Sequence, residues 1–144
     1  MKNNMNYPLI SVITVSYNAV LTIEQTILSV INQTYLNIEY IIIDGGSTDG
    51  TVNVIKKYAD KIAYWVSESD KGIYDAMNKG IAYSHGEYCN FINAGDKFCS
   101  SSILKHVSEK SLRVPENFLR TQVISHRLQI PSEWFNFVKG YSTL

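Results

Sequence analysis

The sequence has few cysteines, no long apolar run and no excess of charge of either sign. Its two cysteines, Cys89 and Cys99, form neither a metal-binding motif nor a disulfide framework. The 13 basic and 13 acidic residues cancel, which argues against a protein held to nucleic acid by phosphate contacts. The apolar stretches are too short for a membrane span, and Ser11 and Thr14 interrupt the N-terminal segment that imitates a signal peptide. We therefore expect a cytoplasmic protein without a nucleic-acid partner.

The length and the apolar content of the chain suffice for the core of one ordinary domain. The chain has 144 residues, of which 45% are apolar and 18% charged, so disorder is not expected. Four short apolar segments are typical of buried strands, the third being shorter and nearer an edge: residues 9–16, 38–43, 62–66 and 88–92. Apolar residues at helical spacing predict four helices, the last one short: residues 23–31, 52–58, 73–81 and 103–107. This alternation predicts an α/β fold with an open, mainly parallel sheet and helices on both faces.

Two residues are predicted to mark helix boundaries. Asp49 is a candidate N-cap of the second helix. Gly86 is placed to end the third helix. Beyond Lys97 the pattern weakens, and Pro115 and Pro131 interrupt a segment in which no strand is predicted.

Polar loops follow all four predicted strands: residues 16–18, 44–49, 67–72 and 93–96. Ligands bind beyond the carboxyl ends of the strands in such a sheet, so these loops form the candidate site. Gly45 and Gly50 have P-loop spacing, but Thr51 replaces the lysine and the match fails. Asp44 and Asp49 would repel a bare phosphate, whereas carboxylates accept hydrogen bonds from ribose hydroxyls or a base N–H. The second loop therefore suits the nucleoside half of a nucleotide.

Each of these charged residues also has a simpler structural explanation. Asp49 can be only a cap, and Asp44 only a turn residue. Asp96 suits Mg²⁺ or Mn²⁺ that shares phosphate oxygens, but taken alone it is better explained as a surface acid. Lys71 near a helix N-terminus can offer charge to a phosphate, or can form a solvated pair with Asp70.

The four loops together resemble family 2 glycosyltransferases, which are nucleotide-sugar-dependent enzymes with the GT-A fold. The matching segments are residues 10–18, 43–51, 67–80 and 86–96. The third segment, from Asp70 to Gly80, is especially similar to bacterial enzymes that make colanic-acid-type and other surface polysaccharides. The resemblance covers about the first two-thirds of the chain.

The resemblance implies site residues. Tyr17 and its neighbours would line the nucleobase pocket, and Asp44 would contact the base or ribose. Asp96 would bind a divalent cation, Mg²⁺ or Mn²⁺, beside the donor diphosphate. The residues implied to bind the nucleotide are Ser16, Tyr17, Asn18, Asp44, Ser47, Asp49, Asp70, Lys71 and Asn93.

The sequence departs from the family pattern in three respects. Gly45 stands where many relatives have a second acid, and Asn93 and Gly95 replace acids at the metal motif. Family enzymes are also usually longer, and their acceptor-binding part and general base lie beyond the metal motif. We therefore expect a nucleotide-sugar-binding half at residues 1–98 and a divergent, incomplete acceptor half at residues 99–144. No catalytic base is assigned.

The function implied is metal-assisted, inverting transfer of a sugar from a UDP- or GDP-type donor to a glycan or lipid-linked acceptor. A peripheral location at the inner face of the cell membrane would suit such an acceptor. Two alternatives remain open, namely a catalytically inactive nucleotide-binding fragment and an oligomerisation domain of the same fold. An incomplete acceptor half would expose a core face, so a homo-oligomer is also expected.

Overall fold

The computed structural model describes residues 7–111. The strands are β1 (Ile10–Ser16), β2 (Ile38–Asp44), β3 (Tyr64–Ser67) and β4 (Tyr88–Phe91). The helices are α1 (Ile23–Ile31), α2 (Thr51–Lys57), α3 (Ile73–Ala82) and α4 (Ile103–Ser111), with a 3-10 helix at Ala59–Lys61. Pro115 and Pro131 lie outside the described residues, as do residues 112–144 of the predicted second segment.

The four strands form one parallel sheet in the order β3-β2-β1-β4. All seven residues of β1 are buried, which explains its continuous β-branched and apolar sequence at the centre of the sheet. Ser16 lies opposite Asp44, and Asp44 lies opposite Ser67, so β1, β2 and β3 end at the same edge. The predicted fold class is confirmed, including the short third strand at an edge.

Helices cover both faces of the sheet because β1 and β2 send alternate side chains to opposite sides. On one face Val12 and Ile42 pack with residues of α1, α2 and α4. On the other face Ile13 and Ile41 pack with Ala76 and Met77 of α3. Each fully buried isoleucine contributes about 1.5–3 kcal/mol to folding. The two cores together hold the sheet edge in place.

Two predicted helix boundaries are wrong. Helix α2 begins after Gly50, whose φ of 103° favours glycine, and Asp49 lies one position before this N-cap. Helix α3 ends at Ala82 with Tyr83 as its C-cap, before Gly86 is reached. Gly86 instead packs against β1, where a Cβ atom would lie 2.6 Å from the backbone nitrogen of Ser11.

The chain after β4 returns to α1. Backbone and side-chain hydrogen bonds join Thr34 to Ser101, and Gln33 to the backbone N–H of Leu104. Leu104 is 2% exposed and belongs to the same core as α1. The division of the chain at residue 98 stays a prediction. No helix among residues 7–111 is long and apolar enough to cross a membrane.

Candidate functional site

A cleft of about 470 Å³ lies at the carboxyl edge of the sheet. Its walls come from the loops that follow β1, β2, β3 and β4 and from the first turns of α3. The lining residues are Val15, Ser16, Tyr17, Ala19, Gly45, Ser69, Asp70, Gly72, Ile73, Ala76, Asn93 and Ala94. The four loops that the sequence singled out therefore do meet around one cavity.

The carboxylate of Asp44 joins three of these loops below the cleft. Asp44 is 0% exposed, and its oxygens accept hydrogen bonds from the hydroxyls of Ser16 (2.8 Å), Ser47 (2.5 Å) and Ser67 (2.7 Å). The backbone N–H groups of Gly46 and Ser47 also donate to it. Burial acts to raise the pKa of Asp44, but the donors outweigh burial and hold the pKa below its ordinary value. Asp44 is therefore ionised at neutral pH.

The loop after β1 is bound directly to the loop after β2. The backbone N–H of Asn18 donates to Ser47 Oγ (2.8 Å), and Asn18 Oδ1 accepts from the backbone N–H of Thr48 (3.0 Å). Asp49 Oδ2 accepts from the backbone N–H of Val20 (3.1 Å). Asn18 has a φ of 45°, a left-handed conformation that asparagine tolerates. These side chains shape the loops and do not line the cleft.

Asp49 also fixes the start of α2. Its Oδ1 atom accepts from the hydroxyl of Thr51 (2.6 Å) and from the backbone N–H of Thr51 (3.0 Å). The Thr51 hydroxyl in turn accepts from the backbone N–H of Ala19 (2.8 Å). The Thr51 hydroxyl is the largest cause of the lowered pKa of Asp49, and backbone N–H groups lower that pKa further.

Three predicted residues present polar groups to the cleft. Tyr17 is 68% exposed, and Asp70 and Asn93 are half-buried. The Oδ1 atom of Asn93 is buried and has no hydrogen-bond partner among residues 7–111. A buried polar atom without a partner is costly, so this amide oxygen is suited to accept from a ligand or to bind a cation.

An ion-pair network supports the loop between β3 and α3. The Lys79 ammonium group lies 3.0 Å from a carboxylate oxygen of Glu68 and 3.6 Å from one of Asp75. Asp75 also accepts from the backbone N–H of Lys71 (3.1 Å). These supporting residues were not predicted, although Asp75 and Lys79 have the i, i+4 spacing of a helical ion pair.

Asp96 lies on a turn that α1 holds in place. The buried Thr26 hydroxyl donates to the Asp96 carbonyl (2.7 Å) and accepts from the backbone N–H of Gly95 (3.0 Å). The Asp96 side chain is exposed and does not line the cleft. No group of three or more His, Cys, Asp or Glu in the described part of the chain could hold a metal ion. Asp96 and Asn93 carry a carboxylate and an amide oxygen, which are the types of ligand that hard cations take.

The structure thus separates the predicted nucleotide-binding residues into two groups. Those lining the cleft are Ser16, Tyr17, Asp70 and Asn93. Those outside its lining are Asn18, Asp44, Ser47, Asp49 and Lys71. Lys71 is exposed at the start of α3, beside the cleft residues Asp70 and Gly72.

The family model described as Glycosyl transferase family 2 matches residues 11–109. The chain therefore belongs to glycosyltransferase family 2. An uncharacterized glycosyltransferase of Mycobacterium tuberculosis (strain ATCC 25618 / H37Rv) is 41% identical over 103 residues, which cover 71% of this chain and 39% of that protein. The "Putative teichuronic acid biosynthesis glycosyltransferase TuaG" of Bacillus subtilis (strain 168) is 37% identical over 103 residues, covering 69% of this chain and 41% of TuaG. The chain thus spans about two-fifths of the length of these relatives.

Solved structures share the fold. The mannosyltransferase PcManGT from Pyrobaculum calidifontis, in complex with GDP-Man and Mn²⁺, matches with a TM-score of 0.64 and 25% identity over 69% of this chain and 31% of that chain. S. aureus TarS 1-349 in complex with UDP-GlcNAc matches with a TM-score of 0.64 and 24% identity over 69% of this chain and 30% of that chain. The fold is therefore GT-A, as the resemblance implied.

Proposed function

We propose that the chain forms the nucleotide-sugar-binding half of a glycosyltransferase. The donor would be a UDP- or GDP-type sugar, and the acceptor a glycan or lipid-linked glycan of a bacterial surface polysaccharide. The observation that carries the proposal is the cleft at the carboxyl edge of the sheet, in which Tyr17, Asp70 and Asn93 present polar groups. Family membership, the GDP-Man in PcManGT and the biosynthetic role in the name of TuaG support it.

The buried carboxylate would act by holding the loops. Asp44 accepts its five hydrogen bonds from residues of three loops and is 0% exposed. We infer that Asp44 positions Ser16 and Gly45 at the cleft and fixes the loop that begins at Ser67. A direct contact between Asp44 and the base or ribose stays a prediction.

The chemistry would be inverting transfer, in which the acceptor hydroxyl attacks the anomeric carbon while the nucleoside diphosphate leaves from the opposite face. Asp96 and Asn93 would hold Mg²⁺ or Mn²⁺, which when bound supplies Lewis-acid stabilisation of the leaving diphosphate. Lys71, with the positive end of the α3 dipole, would attract the same phosphates. The base that deprotonates the acceptor is not assigned among these residues.

The location would be cytoplasmic and peripheral at the inner face of the membrane, because a lipid-linked acceptor is reached there. Cell fractionation followed by a high-salt wash tests this proposal. A polypeptide that stays in the membrane fraction after the wash, or that is found outside the cell, would contradict it.

A second candidate is a nucleotide-binding module without turnover. Asp70 is the only acid among the described residues that line the cleft, and it faces the nucleotide rather than an acceptor in this proposal. Release of free nucleoside diphosphate from UDP- and GDP-sugars separates the two candidates. A protein that binds UDP or GDP but releases none from the sugar nucleotides would support the second. An oligomerisation domain would bind no nucleotide.

Asp96→Ala tests the metal assignment. Titration with UDP and GDP, with and without Mn²⁺, should show that Mn²⁺ strengthens nucleotide binding by the wild type. In the variant, the increase in nucleotide affinity on adding Mn²⁺ should fall about tenfold or more, because Asp96 is the only carboxylate of the metal motif at residues 93–96. Asp60→Ala is the matched control, since Asp60 is an exposed acid on the 3-10 helix. An unchanged Mn²⁺ effect in Asp96→Ala would refute the assignment.

A further inference from the structure

Gly45 and Asp70 share one small space in the wall of the cleft. A Cβ atom built on Gly45 would lie 2.9 Å from Asp70 Oδ2 and 3.4 Å from Cδ2 of Tyr17. Gly45 is not among the glycines with positive φ, so its backbone conformation admits a side chain. A side chain at position 45 would therefore have to displace the carboxylate of Asp70, whereas the backbone itself would tolerate it.

The two carboxylate oxygens of Asp70 have different environments. Oδ1 accepts a hydrogen bond from the backbone N–H of Gly72 (2.9 Å), which fixes the direction of the carboxylate. Oδ2 forms no hydrogen bond with any residue between 7 and 111, and it is the atom that approaches Gly45. Asp70 thus offers the cleft one oriented acceptor atom.

A carboxylate without a bridging cation repels phosphates, so Asp70 suits the neutral part of a nucleoside diphosphate. Its partner is then a donor on the nucleoside. Tyr17, which borders the same space as Oδ2, presents an exposed aromatic ring on which a nucleobase can stack. A base stacked there would direct its edge toward Asp70. Uracil and guanine have a ring N–H donor on that edge, whereas cytosine has an acceptor in the equivalent position.

We propose that Asp70 Oδ2 accepts a hydrogen bond from the ring N–H of a uracil or guanine base, and that Gly45 lacks a side chain to leave that space open. This assignment rests on the proposed nucleotide-binding function. It makes Asp70 the residue that selects the base, while Asp44 is fully engaged with protein donors.

Titration of wild type and Asp70 variants with UDP, GDP and CDP tests the proposal. The wild type should bind UDP or GDP at least about tenfold more tightly than CDP, as expected for a hydrogen bond to a charged group. Asp70→Ala should remove this preference by weakening the favoured nucleotide. Simple loss of a negative charge would strengthen the binding of an anion, so weakening identifies the hydrogen bond.

Asp70→Asn gives a sharper result, since it keeps the shape of the side chain. Its amide oxygen would accept from the Gly72 N–H, and its amide NH₂ would then lie where Oδ2 lay. That NH₂ group can donate to the ring acceptor of cytosine but opposes the N–H of uracil or guanine. The variant should therefore favour CDP over UDP. Asp60→Asn, which alters an exposed acid on the 3-10 helix outside the cleft lining, should leave the preference unchanged.

Gly45→Ala tests the shared space through a double-mutant cycle. The new methyl group should displace Oδ2 and weaken UDP binding several-fold in the wild-type background. In the Asp70→Ala background the same substitution should have little further effect, because the atom it displaces is gone.

The outcomes separate this proposal from the proposed function. A wild type that binds no nucleoside diphosphate, with or without Mn²⁺, would overturn both. A wild type that binds UDP or GDP while Asp70→Ala binds equally well or better would overturn only the role of Asp70. Equal weakening of all three nucleotides in Asp70→Asn would indicate a purely structural role and would also overturn it.

Discussion

A single buried carboxylate connects the segments that build the cleft. The donors to Asp44 come from the end of β1, from the loop after β2 and from the end of β3, three segments far apart in sequence. The backbone carbonyl of Asp44 also accepts from the N–H of Glu68 (3.0 Å). At the scale of one residue, the charge of Asp44 is therefore a stabilising feature as well as a candidate functional one.

Asp44→Asn should destabilise the fold by about 2–4 kcal/mol, because an amide NH₂ would then face hydroxyl and N–H donors. The folded-state pKa of Asp44 is lowered, so its stabilisation is present above the unfolded pKa of about 3.9 and is lost as the pH falls further. Urea unfolding at pH 7 should show the full difference from wild type, and at pH 3 a smaller one.

The exposed Asp60 provides the control for this comparison, since Asp60→Asn removes an acid whose side chain is 74% exposed. It should change the free energy of unfolding by less than about 0.5 kcal/mol. An Asp44→Asn protein as stable as wild type at pH 7, or a difference that does not shrink on acidification, would contradict the role given to the Asp44 charge.

The elements of the fold were largely predictable, whereas their mutual contacts were not. Local composition marks the strands, and the polar loops after them had to meet at one edge of a parallel sheet. The pairing of Asn18 with Ser47, 29 residues away, depends on which loop lies beside which, and sequence spacing does not contain that information. Gly86 was misassigned for the same reason, because its close neighbour belongs to β1.

The packing of α3 on β1 depends on a glycine within the helix. A Cβ atom on Gly80 would lie 2.4 Å from Cγ2 of the fully buried Ile13. Gly80→Ala should therefore destabilise the fold by about 1 kcal/mol, because overpacking of about 1–3 kcal/mol exceeds the helix-propensity gain of about 1 kcal/mol. Thermal and urea unfolding measure the change.

Shortening Ile13, the side chain that Gly80 faces, should reverse the effect of Gly80→Ala on the free energy of unfolding. Ile13→Ala alone should cost about 2–5 kcal/mol through the cavity that it leaves. Gly80→Ala added to Ile13→Ala should be neutral or stabilising, since its methyl group enters that cavity. Asn53→Ala at an exposed site of α2 controls for helix propensity and should be neutral or slightly stabilising. Additive losses at positions 13 and 80 would refute the packing argument.

At the scale of the whole molecule, some residues of the cleft loops are held rigidly by contacts within the protein, while others line the cleft. Asn18, Ser47 and Asp49 are hydrogen-bonded to the backbone of neighbouring loops. These contacts fix the loops after β1 and β2 relative to each other before any ligand binds. Tyr17 and Asp70 line the cleft and are accessible to a ligand. Ligand binding then requires little reorganisation of the loops, which favours affinity.

The charge balance of the whole chain predicts self-association. The net charge is formally zero at pH 7 and the sequence pI is about 6.8, so there is little repulsion between copies. Leu21 and Leu36 are 90% and 93% exposed. Light scattering at micromolar concentration should detect oligomers at pH 7, where the formal net charge is zero. Leu36→Lys should reduce association, and a monomeric wild type at pH 7 would refute this prediction.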